Sequence, residues 1–114
     1  MVTKEQLIAN AAEIKRLGNL LAEAKGKFHN LKEIGSDILA TGMSEIDKIM
    51  TGKTSEAKLE RYARSSDEWG KYQVGLNYAR QEFLKLDAQY TSACILQETL
   101  RSILSLEKTE MSIL

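Results

Sequence analysis

The chain has 114 residues, enough for one ordinary domain and too few for two, so a separate catalytic domain has no room. Hydrophobic residues make up 43% and charged residues 28%, a globular rather than disordered composition, and there is no proline to interrupt a helix. Sixteen basic and sixteen acidic residues give a formal charge of zero, so net charge offers no long-range attraction to nucleic acid or anionic lipid.

Thr3 followed by Gln6 has the form of a capping box and predicts a helix start there. Apolar residues then recur with a seven-residue period in two series: Leu7, Ile14, Leu21 and Phe28, and Leu17, Ala24, Leu31 and Ile38. Gly35-Ser36-Asp37 predicts a kink, beyond which Ile38, Leu39, Met43, Ile46, Ile49 and Met50 carry the apolar stripe across Gly42. Thr51-Gly52-Lys53-Thr54 predicts a turn closed by Gly52, with Thr54 or Ser55 capping the next helix and Glu56 in its first turn.

The second arm has the clearest repeat. Tyr62, Trp69, Leu76, Phe83, Tyr90, Gln97 and Leu104 form one series, and Tyr72, Ala79, Leu86, Ala93 and Leu100 its companion. Every aromatic residue except Tyr78 falls on a predicted seam. Ser65 to Glu68 allows a fresh helix start within this arm, although the heptad phase runs through it. A turn centred between Lys53 and Thr54 sets large residues against small ones, as a filled core requires. Phe28 then faces Ala79, Phe83 faces Ala24, Tyr72 faces Gly35 and Ile14 faces Ala93. Leu86 meets Leu21, Tyr90 meets Leu17 and Leu100 meets Leu7.

The expectation is an all-α fold in a single domain over residues 1–114: a long antiparallel, coiled-coil-like helical hairpin with a kinked first arm. The first arm covers about residues 3–50, the turn 51–54 and the second arm about 55–108, followed by a short tail. Near the C-terminus Leu106, Met111, Ile113 and Leu114 overhang the first arm. Ile95, Leu96, Ile103 and Leu106 lie off the main seam, and a two-helix hairpin cannot cover them. Either the segment 38–50 folds back to make a three-helix bundle, or a second chain covers the surface in a dimeric four-helix arrangement; the dimer is favoured.

Chemistry-bearing motifs are sparse. Thr51-Gly52-Lys53-Thr54 shares the tail of a phosphate-binding loop, but Asp47 stands where that loop needs its first glycine and a helix precedes it instead of a strand. His29 and Cys94 are the only histidine and cysteine. In the register above Cys94 lies level with Glu13, some sixteen residues from His29, or about 24 Å along a helix. They are therefore read as a solvent-facing residue and a small packing residue. No metal-ligand spacing is present, and the dispersed carboxylates interleave with Lys and Arg as on a solvated helix face. No enzyme activity and no cofactor are expected. WXG-type secreted hairpins carry Trp-x-Gly in the inter-helix turn, whereas Trp69-Gly70 lies inside the second arm.

The functional expectation is a non-catalytic protein-interaction module, self-associating as a homodimer and binding a partner protein. Adaptor, chaperone and small phage- or mobile-element-type inhibitor of a host protein are the roles considered. Tyr78, Ile95, Leu96, Ile103 and Leu106 are the expected partner contacts, since Tyr78 beside Arg80 has hot-spot composition and the others are uncovered. The alternative is a nucleic-acid-binding accessory protein contacting phosphates through Lys53, Lys58, Arg61, Arg64 and Lys71. No long apolar run or signal-type segment is seen, so no membrane contact and a cytoplasmic location are expected.

Overall fold

The computed structural model describes residues 1–50 and 52–113, without the side chain of Ile113. Among these residues there are four helices and no strand: α1 (Lys4–Glu33), α2 (Gly35–Ile49), α3 (Glu56–Arg64) and α4 (Asp67–Ile113). The fold is all-α and hairpin-like, with a kinked first arm. By its contacts the chain divides into two compact units, Met1–Lys25 with Glu82–Leu114, and Gly26–Gln81, and α1 and α4 contribute residues to both.

The helix starts follow from local chemistry. The Thr3 amide donates to Gln6 Oε1 (2.8 Å) and the Gln6 amide to Thr3 Oγ1 (3.2 Å), a reciprocal capping box that satisfies two otherwise unpaired amides. Ser55 caps α3, its hydroxyl accepting from the Lys58 amide at 3.3 Å. Gly52 has φ +94°, the left-handed conformation expected of the turn glycine, while its neighbour Thr51 lies outside the described residues.

In the first unit α1 and α4 pack antiparallel. Leu17, Ala24 and Ala93 are buried, and the Tyr90 ring lies so close to Gly18 that a Cβ there would stand 3.3 Å from Tyr90 Cε2. Tyr90 was expected against Leu17; the adjacent glycine receives it because only a residue without a side chain leaves space for a ring at the helix surface. The same pairing brings Asn10 to Gln97. Asn10 Nδ2 donates to Gln97 Oε1 (2.9 Å) and to the Ala93 carbonyl (3.0 Å), and Gln97 Nε2 donates to the Leu7 carbonyl (3.3 Å). Gln97 is buried, so this is a polar layer set into an apolar seam. Such layers penalise shifted registers, which leave a buried amide without a partner. Near the C-terminus Leu106 and Met111 are exposed, as the overhang implies, yet Glu107 accepts from the Val2 amide at 3.2 Å. The expected overhang of Ile113 and Leu114 falls on side chains outside the description.

In the second unit the kink has an identifiable cause. Tyr72 reaches across to donate its hydroxyl to the Leu31 carbonyl at 2.7 Å, the acceptor that the residue-35 amide would use in an unbroken helix. Gly35 is buried beneath that ring, where a Cβ would lie 3.1 Å from Tyr72 Cζ and collide with the hydroxyl. α-Helical bonds resume on either side, from Ile34 to Asn30 and from Ile38 to Ile34. The segment expected as a fold-back alternative therefore continues the first arm, and α2 packs against α3.

α3 corrects the continuous heptad. Tyr62, expected on the seam, is 40% exposed, whereas Ala63 is 2% exposed and sits 3.4 Å from the position of a Cβ on Gly42. The helix breaks at Ser65 and Ser66, and α4 restarts with the Ser66 hydroxyl accepting from the Trp69 amide at 3.2 Å. The break resets the helical phase, so the inward position of α3 moves one residue on, and the capping serine is Ser66 rather than Ser65.

Candidate interaction surface

α4 turns its seam residues toward α1 in the first unit, so the opposite face meets solvent. On it Ile95 is 59% exposed and Leu106 62%, while Leu96, at 48%, and Ile103, at 42%, stand on its flank. These four expected contact residues thus lie along one helix, and because each is about half exposed, burying what remains is worth about 0.7–1.5 kcal/mol per side chain. Leu84, not singled out from the sequence, is also exposed, at 55%. It was legible in principle, standing eleven residues before Ile95 as Leu106 stands eleven after. Ile8 on α1 is exposed as well.

Leu96 borders a shallow groove of about 500 Å³ between α1 and α4, whose other walls include Asn10, Leu17, Ala88 and Ala93. Glu13 and Arg16 stand at its edge as an ion pair, with Arg16 Nε donating to Glu13 Oε2 at 2.9 Å. This bond holds the Glu13 carboxyl below its ordinary value and raises Arg16. Both side chains are largely solvated, so the pair contributes little to stability.

In the second unit Tyr78 is exposed together with Val74, one turn away. Arg80 is exposed, with its guanidinium 5.5 Å from the Phe28 ring, and it donates to Asn77 Oδ1 at 2.9 Å. A pocket of about 220 Å³ lies where α2, α3 and the start of α4 meet, floored by Ile38, Gly42, Ala63 and Trp69 and edged by Asp37 and Glu68.

The residues of the nucleic-acid alternative are in this unit too. Lys53, Lys58, Arg61 and Lys71 are exposed. Arg64 is committed elsewhere: it donates to Glu60 Oε1 at 2.8 Å and its guanidinium lies 5.3 Å from the Trp69 ring. Both side chains of that ion pair are about half exposed, so Arg64 is held beside Trp69 while still reaching solvent.

His29 is exposed with its ring tilted against Phe28, centroids 5.7 Å apart. Cys94 is half-buried beside Tyr90, one turn back on α4, and hydrogen bonding with the thiol raises the Tyr90 phenol above its ordinary value. Among the described residues no cluster of His, Cys, Asp or Glu is placed to hold a metal ion, and no helix is long and apolar enough to cross a membrane. No protein-family model, curated protein or solved structure matches this chain.

Proposed function

We propose that this protein is a non-catalytic interaction module that self-associates and binds a partner protein, acting in the cytoplasm as an adaptor, a chaperone or a small inhibitor of the kind phages and mobile elements use against host proteins. The observation that carries this reading is the set of large apolar side chains on α4, Ile95, Leu96, Ile103 and Leu106, with Leu84, each of which stays 42–62% exposed among the described residues. Exposed apolar surface of this extent on one helix is a liability for a solitary molecule and an asset for one that associates. Tyr78 offers a second, separate contact.

Light scattering across a micromolar concentration series tests the first half. Self-association is expected, and replacing Leu96 and Ile103 by Glu weakens it or weakens capture of the partner while helicity is retained. Binding to DNA or RNA that falls steeply with salt and disappears when Arg61 and Lys58 become Glu would refute the reading in favour of the nucleic-acid alternative.

A further inference from the structure

The uncovered face of α4 in the first unit has an internal symmetry that identifies its occupant. Leu84, Ala88, Thr91, Ile95, Thr99, Ser102 and Leu106 are all exposed. At about 100° per residue they share one side of the helix, turned away from the buried Ala93 and Gln97, because eleven residues make close to three whole turns. None of the seven is charged. The steps between them are 4, 3 and 4 residues from Leu84 to Ile95 and 4, 3 and 4 from Ile95 to Leu106. The order is therefore a near-palindrome in side-chain type as well as spacing: leucine, a small residue, threonine, isoleucine, threonine, a small residue, leucine.

Resting on the self-association reading, the geometry points to a second copy of this chain as the occupant, its α4 antiparallel to the first with a twofold axis at Ile95. An isologous contact requires a residue a given distance before the axis to meet the one the same distance after it. Antiparallel pairing about Ile95 sets Leu84 against Leu106, Ala88 against Ser102, Thr91 against Thr99 and Ile95 against itself. The uncharged stripe spans 22 residue steps from Leu84 to Leu106, or about 33 Å of helix, long enough for a two-helix contact.

Site-specific cross-linking of the full chain, with Cys94→Ser removing the native thiol and a short bismaleimide as the probe, tests this arrangement. Chains carrying Ile95→Cys should couple to one another on the order of a thousandfold faster than chains carrying Leu84→Cys alone, because pairing raises the local thiol concentration from micromolar to millimolar. Leu84→Cys chains should couple efficiently only when mixed with Leu106→Cys chains. Unchanged helical circular dichroism checks that each variant folds. Leu84→Cys chains coupling to themselves would establish a parallel contact and overturn the inference. A dimer by light scattering in which Ile95→Cys fails to couple would also overturn it while leaving self-association standing; a monomer at high micromolar concentration overturns both.

Discussion

Replacing Gly35 with Ala tests the account of the kink at the level of one atom. The new Cβ would lie 3.1 Å from Tyr72 Cζ and in collision with the hydroxyl, so the ring must withdraw and its 2.7 Å bond to the Leu31 carbonyl is lost. Losing that bond costs about 0.5–1.5 kcal/mol, and forcing a ring out of a packed seam adds about 1–3 kcal/mol. Alanine's higher helix propensity returns about 1 kcal/mol, leaving a net destabilisation of about 0.5–3.5 kcal/mol. The decisive measurement is a double-mutant cycle with Tyr72→Phe, read from urea unfolding followed by circular dichroism. Phe removes the colliding oxygen, leaving only the 3.1 Å approach of Cζ, which a small ring displacement relieves. Gly35→Ala is therefore expected to be nearly neutral in the Tyr72→Phe background, with a coupling energy of about 1–3 kcal/mol. Additive effects of the two substitutions, or a stabilised Gly35→Ala single variant, would refute the proposed origin of the kink.

Asn10→Ala leaves the buried Gln97 carbonyl oxygen without its 2.9 Å donor and is expected to cost about 1–3 kcal/mol in chemical denaturation, whereas Asn10→Leu with Gln97→Leu together should match or exceed the native stability. The Tyr90 phenol, raised by its hydrogen bond to Cys94, holds its proton more tightly in the folded chain than in the unfolded one. Its contribution to stability is therefore complete below the ordinary value of 10.0 and is lost as pH climbs through the higher folded value. Phenolate absorbance should detect a tyrosine titrating late, and Cys94→Ala should return it toward the ordinary range.

Periodicity and end signals were sufficient for much of this fold, because both act locally. The Thr3 and Gln6 box and the Ser55 cap depend on hydrogen bonds spanning three residues, and the turn glycine on its own positive φ, and all are present. The Tyr72 and Gly35 pairing was legible from size matching in a single register. Extending the series of Leu17 back by seven residues would have reached Asn10, and the same register sets it opposite Gln97. Its polarity hid it from a search for apolar positions.

Exposure of Ile95, Leu96, Ile103 and Leu106 was likewise readable, since a single seam fixes which side of α4 is left over. Three features needed the assembled structure. The helical phase of α3 depends on where the chain breaks at Ser65 and Ser66, and a heptad count cannot register a break that shifts it by one residue, so Tyr62 rather than Ala63 was placed inward. The capture of Arg64 by Glu60 and Trp69 depends on the side chains at the α3–α4 junction. The kink depends on a tyrosine hydroxyl arriving from 41 residues away to take a backbone carbonyl. The sequence by itself determined helices, caps and pairing partners through forces that repeat along a helix. Tertiary packing decided the phase, the kink and the engagement of individual polar groups, because these turn on single contacts between segments distant in the chain.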